Sequence, residues 1–529
     1  MSGRERRERL SRARQQRLPR AVSILLFVLL LIAATSILLT VFAGCGNTVA
    51  FPRSAAELES AGRNANIYLI DEGARLAAGR TAGDTVYSIQ TSLNTSTKTL
   101  TGDERVLYTN RSKDPLSEIV FRVYANDPTV RGGGKPVTIS GLKADGRTPT
   151  CSLDGSILHV ALPFRLLPGK RSYLSFQFSE PVPSKAQNDG IYAYEGGTFD
   201  LGNFAPGVVM YSNGAWDDRS VPSDGDMLYS DCSYYYVSLD APEGYVVATT
   251  GVQTGTDGNR RIYSAGPVRD FEIQVSNSYR SVARKVGQTT VTSYYMSRQA
   301  VEGGAALDYG CAALQQFSAH FGPYPYTRFN ICEAPLNDDG MEYTGQVQIS
   351  SSLYESPKDP DLEYTVAHEV CHQWWAMGVG SDSIGHAWQD ESLTSFCESL
   401  LAQWQHGQAE SNSYVNDFAD EYVSAREEGT ADGIVDQPVS AFEDGDQYTT
   451  LVYLKGALFI DALRDLMGEQ AFEKSLAQYY RKNVFINASP EEEVAAFQSN
   501  SADPASVSAL YERWMHGVYG DADIHSRSQ

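Results

Sequence analysis

Two histidines four residues apart are the feature of this sequence with the clearest chemistry. His368 and His372 flank Glu369 in the pentapeptide His-Glu-Val-Cys-His. On a helix, residues four apart lie on one face, so both imidazoles can reach a single cation. Glu369 then lies beside that cation, where its carboxylate can take a proton from an attacking water. The spacing predicts one catalytic metal ion with His368 and His372 as ligands and Glu369 as general base.

A third ligand is predicted at the start of the next helical segment. Glu391 follows His372 by 19 residues. Two imidazoles and one carboxylate leave the fourth position of a zinc ion open for water, as a catalytic zinc requires. The alternative is a surface helix with two solvated histidines, but this segment is flanked by apolar residues and the chain has only 8 histidines. Asp390 is predicted to cap the helix, with a contact to the metal ligands as the alternative role.

The pattern of the three ligands resembles a known family. The sequence contains His-Glu-x-x-His, then 18 further residues, then Glu. This arrangement is similar to that of the gluzincin metallopeptidases, and in particular to that of the aminopeptidase N family. Other segments resemble the same family in the expected order over about residues 85–517. These segments are Thr101–Glu104, Phe321–Tyr326, Gly340–Tyr343 and Val452–Gly456.

The resemblance implies roles for further residues. Tyr453 is expected to donate a hydrogen bond to the oxyanion of the tetrahedral intermediate, although Tyr448 lies nearby in the sequence. Glu342 is expected to bind the α-ammonium group of the substrate, with Gly340 and Met341 beside it in the substrate channel. Tyr343 departs from the family's usual Gly-x-Met-Glu-Asn segment, which weakens the implied role of Glu342.

The hydrophobic pattern predicts an α+β chain with more than one domain. Short alternating runs separated by Gly, Pro, Asn and Asp indicate an antiparallel β-rich domain over residues 85–283. Helical spacing dominates afterwards, and the resemblance implies a thermolysin-like, mainly helical catalytic domain over residues 284–529. The family's large helical C-terminal domain is expected to be absent, which would leave a more open cleft.

The first residues predict a membrane anchor. Residues 1–20 contain eight arginines, and residues 21–43 contain no charged side chain. Such a run is long enough to cross a bilayer, and the arginines favour the cytoplasmic side. Residues 1–45 are therefore interpreted as a cytoplasmic tail and membrane helix, with a lipoprotein signal ending at Cys45 as the alternative. Residues 46–84 are interpreted as a spacer, and the catalytic domain is expected outside the cytoplasm.

The charge balance excludes one class of partner. The formal net charge is −22, and residues 1–20 contribute +6, so the remainder carries −28. A strongly acidic domain disfavours nucleic acid as a partner. We therefore predict a membrane-bound zinc metallopeptidase that releases N-terminal residues from peptides. The alternatives are an oligopeptidase or zinc hydrolase of narrow specificity and, from another class, a non-catalytic binding or sensor module.

Overall fold

The computed structural model describes residues 51–63, 68–81, 84–187, 189–226, 229–358 and 360–526. The predicted cytoplasmic tail, the membrane helix and Cys45 lie outside these ranges. Within them, no helix is both long and apolar enough to cross a bilayer.

Twenty-two strands are present in the described residues. They are β1 (Thr85–Asn94), β2 (Thr99–Thr109), β3 (Leu116–Arg122), β4 (Thr138–Ala144), β5 (Cys151–Asp154), β6 (Ile157–Leu166), β7 (Arg171–Pro181), β8 (Tyr192–Glu195), β9 (Thr198–Leu201), β10 (Gly207–Val208), β11 (Tyr211–Ser212), β12 (Ala215–Trp216), β13 (Ser233–Asp240), β14 (Val246–Thr249), β15 (Val252–Asp257), β16 (Arg260–Val268), β17 (Ile273–Ser276), β18 (Tyr279–Val286), β19 (Thr289–Met296), β20 (Arg328–Ala334), β21 (Gly340–Tyr343) and β22 (Gln346–Ser350).

The α-helices of the same ranges lie mostly in the second half of the chain. They are α1 (Ala55–Arg63), α2 (Asp71–Ala77), α3 (Pro128–Arg131), α4 (Ala300–His320), α5 (Pro360–Cys371), α6 (Glu391–His406), α7 (Gln408–Glu428), α8 (Gly445–Thr449), α9 (Gly456–Met467), α10 (Glu469–Asn483), α11 (Pro490–Gln498), α12 (Pro504–Met515) and α13 (Gly520–Asp523). A π-helix over Thr450–Lys455 connects α8 to α9.

The β-rich part is built on a seven-stranded sheet in the order β15-β16-β13-β1-β2-β7-β4. Strands β2 and β7 show the period of two that the sequence predicts, because one face of the sheet packs on the core, whereas β13 is buried along almost its whole length. In β7, for example, Leu174, Phe176 and Phe178 are buried and the residues between them are partly exposed. The sheet departs from the antiparallel prediction at one place, since β1 and β13 pair in parallel. A parallel pair needs a long connection, and residues 95–232 supply it.

The predicted spacer over residues 46–84 packs on the body of the protein in its described part. Leu58 of α1 is fully buried against Val86, Leu107 and two tyrosines of β13. Tyr68, which follows α1, stacks on the ring of Tyr326 at 4.5 Å between centroids. Residues from Phe51 onwards therefore contribute to the core, which an alanine- and glycine-rich segment does not reveal by composition.

The mainly helical part of the chain contains a second sheet, whose strand order is β18-β19-β20-β22-β21. The predicted boundary between residues 283 and 284 falls inside β18, which pairs with β19 along its whole length. The helical spacing predicted after residue 283 is found in the helices of this part. The helix that carries His368 ends at Cys371, and the chain then turns through Ala376, which has a positive φ of 114°. The His372 N–H still donates to the His368 carbonyl at 3.2 Å, so the helical spacing of the two histidines is kept.

Candidate active site

The three predicted metal ligands converge on one point. The Nε2 atoms of His368 and His372 lie 3.0 Å apart, and an oxygen of Glu391 lies 3.2 Å from the first and 3.5 Å from the second. His368 lies on α5 and His372 in the turn after it, while Glu391 is the first residue of α6. All three atoms belong to the same cavity, which has a volume of about 650 Å³.

The donor set fits zinc in its distances and its chemistry. Around a tetrahedral ion with bonds of about 2.0–2.1 Å, neighbouring ligand atoms lie about 3.3 Å apart, close to the three distances here. Each imidazole also has its other nitrogen occupied. His368 Nδ1 contacts Glu398 at 2.8 Å, and His372 Nδ1 contacts the Trp375 carbonyl at 2.9 Å. A proton held at Nδ1 leaves the Nε2 lone pair free for a metal.

The charges of this centre favour a cation. Burial opposes ionisation of His372, yet Glu342 and Glu391 together raise its pKa to about 10. The pKa of Glu391 moves in the opposite direction: burial raises it, but His372 and the hydrogen bonds from both imidazoles bring it well below its usual range. Without a metal, the imidazoles of His368 and His372 therefore hold positive charge as protons, which zinc would displace.

Asp390 caps α6, as predicted. Its Oδ1 accepts from the Glu391 N–H at 3.0 Å. Its Oδ2 accepts from the hydroxyls of Ser381 and Ser383 at 2.7 and 2.8 Å. The capping aspartate thus fixes the turn from which Glu391 extends, and so positions the third ligand.

Glu369 lies beside the metal ligands and is accessible from the cavity. Its Oε2 is buried and has no hydrogen-bond partner among the described residues. Burial raises the pKa of Glu369 to about 7, against the effect of the two histidines. A Cβ at Gly340 would come within 2.3 Å of the Glu369 carboxylate, so only glycine allows β21 to approach this group so closely. A carboxylate with a pKa near neutrality suits a general base.

Glu342 also belongs to this centre. Single ligand atoms of Glu342, Glu369 and His372 all lie within 4.8 Å of one another. Burial raises the pKa of Glu342 to about 8, with further contributions from Glu369 and Glu391. Gly340 and Met341, on the same edge strand, line the cavity beside it. The edge strand β21 therefore places the predicted substrate residues next to the metal ligands.

Tyr453 reaches the same cavity from the π-helix. Its ring lies 6.1 Å from the ring of His368 and 5.8 Å from that of Tyr448, centroid to centroid. Burial, followed by the charge of Glu391, raises the pKa of Tyr453 well above its usual range. The phenol therefore stays neutral and remains a hydrogen-bond donor. Lys455, two residues later, anchors this segment, because its buried ammonium donates to Asp432 at 2.8 Å and to two carbonyls.

Two acidic residues of the site were missed by sequence reasoning. Glu398 lies seven residues after Glu391, two helical turns along the same face of α6, so the signal was present in the spacing. Asp226 comes from the β-rich part, and its buried Oδ2 has no partner within the described residues. Its neighbours Glu342 and Glu391 are more than 100 residues away in sequence, so no local pattern could have revealed it.

The fold is similar to that of solved zinc metallopeptidases, and the three converging side chains could hold a zinc ion. The profile of the peptidase family M1 domain matches residues 305–514. The solved M1 zinc metallopeptidase of Deinococcus radiodurans superposes with a TM-score of 0.61 at 18% identity, covering 82% of this chain and 95% of that one. These matches make the chain similar to the zinc peptidases of family M1.

Curated relatives match over a shorter region. Aminopeptidase M1-B of Oryza sativa subsp. japonica is 28% identical over 246 residues, which are 43% of this chain and 27% of the rice protein. Aminopeptidase M1 of Arabidopsis thaliana is 28% identical over 244 residues, or 42% of this chain and 26% of that protein. The match thus spans about a quarter of the length of these relatives.

Proposed function

We propose that this protein is a zinc-dependent peptidase that releases N-terminal residues from peptides. The observation that carries the proposal is the placement of a zinc-type ligand set, a general base and a second buried carboxylate, Glu342, in one cavity. The similarity to aminopeptidases supports it, as does the solved structure of the related Deinococcus radiodurans enzyme, described as bound to a Tyr-Ser-Ala substrate.

His368, His372 and Glu391 would hold one zinc ion, which when bound lowers the pKa of a coordinated water and polarises the scissile carbonyl. Glu369 accepts the proton of the attacking water and delivers it to the leaving amine. Tyr453 donates its phenolic hydrogen to the developing oxyanion, an interaction worth about 3 kcal/mol in comparable sites. Glu398 keeps the His368 imidazole in the orientation that directs Nε2 at the metal.

Glu342 determines where the chain is cut. A substrate whose α-ammonium group is held by this carboxylate has its first peptide bond one residue away. Since the Glu342 carboxylate and the Glu369 carboxylate lie within 4.8 Å, that bond falls at the general base. Acetylation of the amino terminus removes the charge that Glu342 binds, so only free amino termini are expected to be accepted.

The test uses the full chain loaded with zinc and a peptide library offered with free and with acetylated N-termini. Products are identified by mass spectrometry, and the isosteric Glu369→Gln variant serves as the blank. Stepwise loss of N-terminal residues, abolished by acetylation and by the variant, is the expected result. Internal cleavage that ignores acetylation would replace the aminopeptidase by an oligopeptidase. Zinc binding without any cleavage would favour the non-catalytic alternative.

We also propose that the protein is attached to the membrane by residues 21–43, with the peptidase outside the cytoplasm. The support is the uncharged run and the eight arginines before it. Membrane fractionation of the full chain and of Cys45→Ala distinguishes the two anchors. Retention of the variant in the membrane favours the helix, its release favours a lipid on Cys45, and recovery of the unmodified chain in the soluble fraction overturns both.

A further inference from the structure

The cavity of the active site is lined by an unusual number of acidic groups. Among the described residues that line it, ten are Asp or Glu, and none is Lys or Arg. Four of the ten are already assigned: Glu342, Glu369, Glu391 and Glu398. The six others are aspartates, namely Asp189, Asp224, Asp226, Asp338, Asp339 and Asp446. The proposed chemistry does not need these six.

Two of these aspartates form a pair on the rim. Asp189, in the loop before β8, and Asp338, in the loop before β21, share a hydrogen bond between their carboxyl groups. Burial, and then the charge of Asp338, raises the pKa of Asp189 to about 7. Asp224 adds to this field, and it closely approaches Gly445, the first residue of α8, where a Cβ would lie 2.7 Å from its carboxylate. Carboxylates from three loops thus lie close together at one end of the cavity. A bound cation would reduce the repulsion among them.

Asp226 provides independent support for a cationic ligand. It is only 9% exposed, its carboxyl group lies against that of Glu391, and its Oδ2 accepts no hydrogen bond from a donor in the described part of the chain. Asp226 also lines a small recess of the cavity together with Asp189, Ile191 and Met341. The recess has a volume of only about 20 Å³, so a long side chain with an apolar stem and a charged end would lie in the main cavity, against Met341 and the carboxylates that line it.

A second metal ion fits this end of the cavity less well. Across the described residues, metal-ligating atoms converge in threes only at the two overlapping groups around His372. Neither group includes a rim aspartate. An organic cation, whose charge is spread over several hydrogen-bond donors, requires no such convergence and can contact carboxylates several ångströms apart.

We propose that the first side-chain subsite selects lysine or arginine at the N-terminus of the substrate. This inference rests on the proposed function. With the α-ammonium group at Glu342, the side-chain stem lies along Met341. Its charged end reaches the rim, where Asp189, Asp338 and Asp224 line the cavity. Asp226 adds a negative charge between the position of the α-ammonium group and the position of the charged end of the side chain.

The test compares lysine with norleucine, which has the same four-carbon stem without the ammonium group. Hydrolysis of the two aminoacyl-coumarin substrates by the zinc-loaded full chain gives two kcat/KM values. We expect the value for lysine to be about tenfold higher, a ratio equivalent to about 1.4 kcal/mol. In the Asp189→Asn/Asp338→Asn variant this ratio should fall to about 2 or less. The control variant Asp154→Asn/Asp257→Asn, at exposed positions outside the cavity, should keep the original ratio.

Binding separates this inference from the proposed function. Calorimetry with zinc-loaded Glu369→Gln measures the dissociation constants of lysine amide and norleucine amide without catalysis. Tighter binding of lysine amide, lost in the added rim substitutions, supports the subsite even if no peptide is cleaved. Equal binding of the two amides, or a rim variant that weakens both alike, overturns the subsite. Hydrolysis of norleucine substrates without a lysine preference would overturn the subsite and leave the aminopeptidase intact.

Discussion

Two groups of buried carboxylates in this protein differ in what surrounds them. Glu342, Glu369 and Glu391 lie around two imidazoles and open onto a cavity of about 650 Å³. Glu104 and Glu180 lie on the adjacent strands β2 and β7, both fully buried, and neither lines a cavity described for this chain. Tyr192 donates to Glu180 at 3.1 Å, while both oxygens of Glu104 lack partners among the described residues.

Burial raises the pKa of an acid in both regions. It raises the pKa of Glu369 to about 7, and it raises those of Glu104 and Glu180 well above their usual range. A perturbed pKa therefore does not by itself identify a functional site here. The distinguishing features of the first group are the converging imidazoles, the outer partners that orient them and the space for a substrate. The following experiments test this difference.

Removal of a metal ligand should have the largest effect. We expect His372→Ala to lower the zinc content from one ion per chain to near zero, with undetectable activity, because two ligands no longer define a tight site. Metal analysis of the purified, folded protein measures this directly. His406→Ala changes an exposed histidine and should retain zinc. Full zinc occupancy in His372→Ala would refute the assignment of the ligand set.

Substitution of the general base should abolish turnover but not metal binding. Glu369→Gln is expected to lower kcat by about 10²–10⁴, since the amide cannot accept the proton of water. Glu363→Gln, on the same helix, is the matched control and should retain activity. If Glu369→Gln kept its kcat, the cavity carboxylate would be no more functional than Glu104.

Two neighbouring tyrosines allow a paired test of the oxyanion donor. Tyr453→Phe should lower kcat by about 10²–10³, the cost of removing one such donor. Tyr448→Phe removes a hydroxyl from the same cavity 5.8 Å away, ring to ring, and should cost less. Steady-state kinetics of both variants decide the assignment. A larger loss of kcat in Tyr448→Phe would assign the oxyanion hydrogen bond to Tyr448 in place of Tyr453.

Loss of a residue that orients a metal ligand should have a smaller effect on zinc affinity and activity. Glu398→Gln weakens the contact of its carboxylate with His368 Nδ1, now 2.8 Å, and should lower zinc affinity or activity by about 10–100-fold. Competition with a chelator measures the affinity. Unchanged affinity and activity would mean that the geometry of the two helices alone orients the imidazole.

The smallest effect is expected in the β-rich part, and it concerns stability alone. The pKa of Glu104 is raised in the folded state, so its contribution is present below pH about 4 and is lost as pH rises toward the folded-state pKa. Glu104→Gln carries no such charge. The decrease in Tm between pH 5 and pH 8 should therefore be smaller in the variant, without a change in kcat. An identical decrease in both proteins would show that Glu104 does not titrate differently on folding.

Much of the fold was predictable because its signals are local. The alternation in β7 and the helical spacing over Ala300–His320 follow from which residues pack on the core. The parallel pairing of β1 with β13 was not predictable, because it depends on a contact across 148 residues between Thr85 and Ser233. The packing of Leu58 was missed for the same reason. A single leucine in an alanine-rich helix does not indicate which strands it covers.

The sequence by itself predicted the metal ligands. A spacing of four residues places His368 and His372 on one helical face, the start of the next helical segment supplied Glu391, and Asp390 was predicted to cap that helix. The acidic rim was decided only by the tertiary structure. Asp189 and Asp226 come from the β-rich part, while Asp338 lies in the loop that leads into β21 of the second sheet. Local spacing fixes a site when one helix carries its ligands, whereas side chains from distant segments meet only through the packing of the two parts.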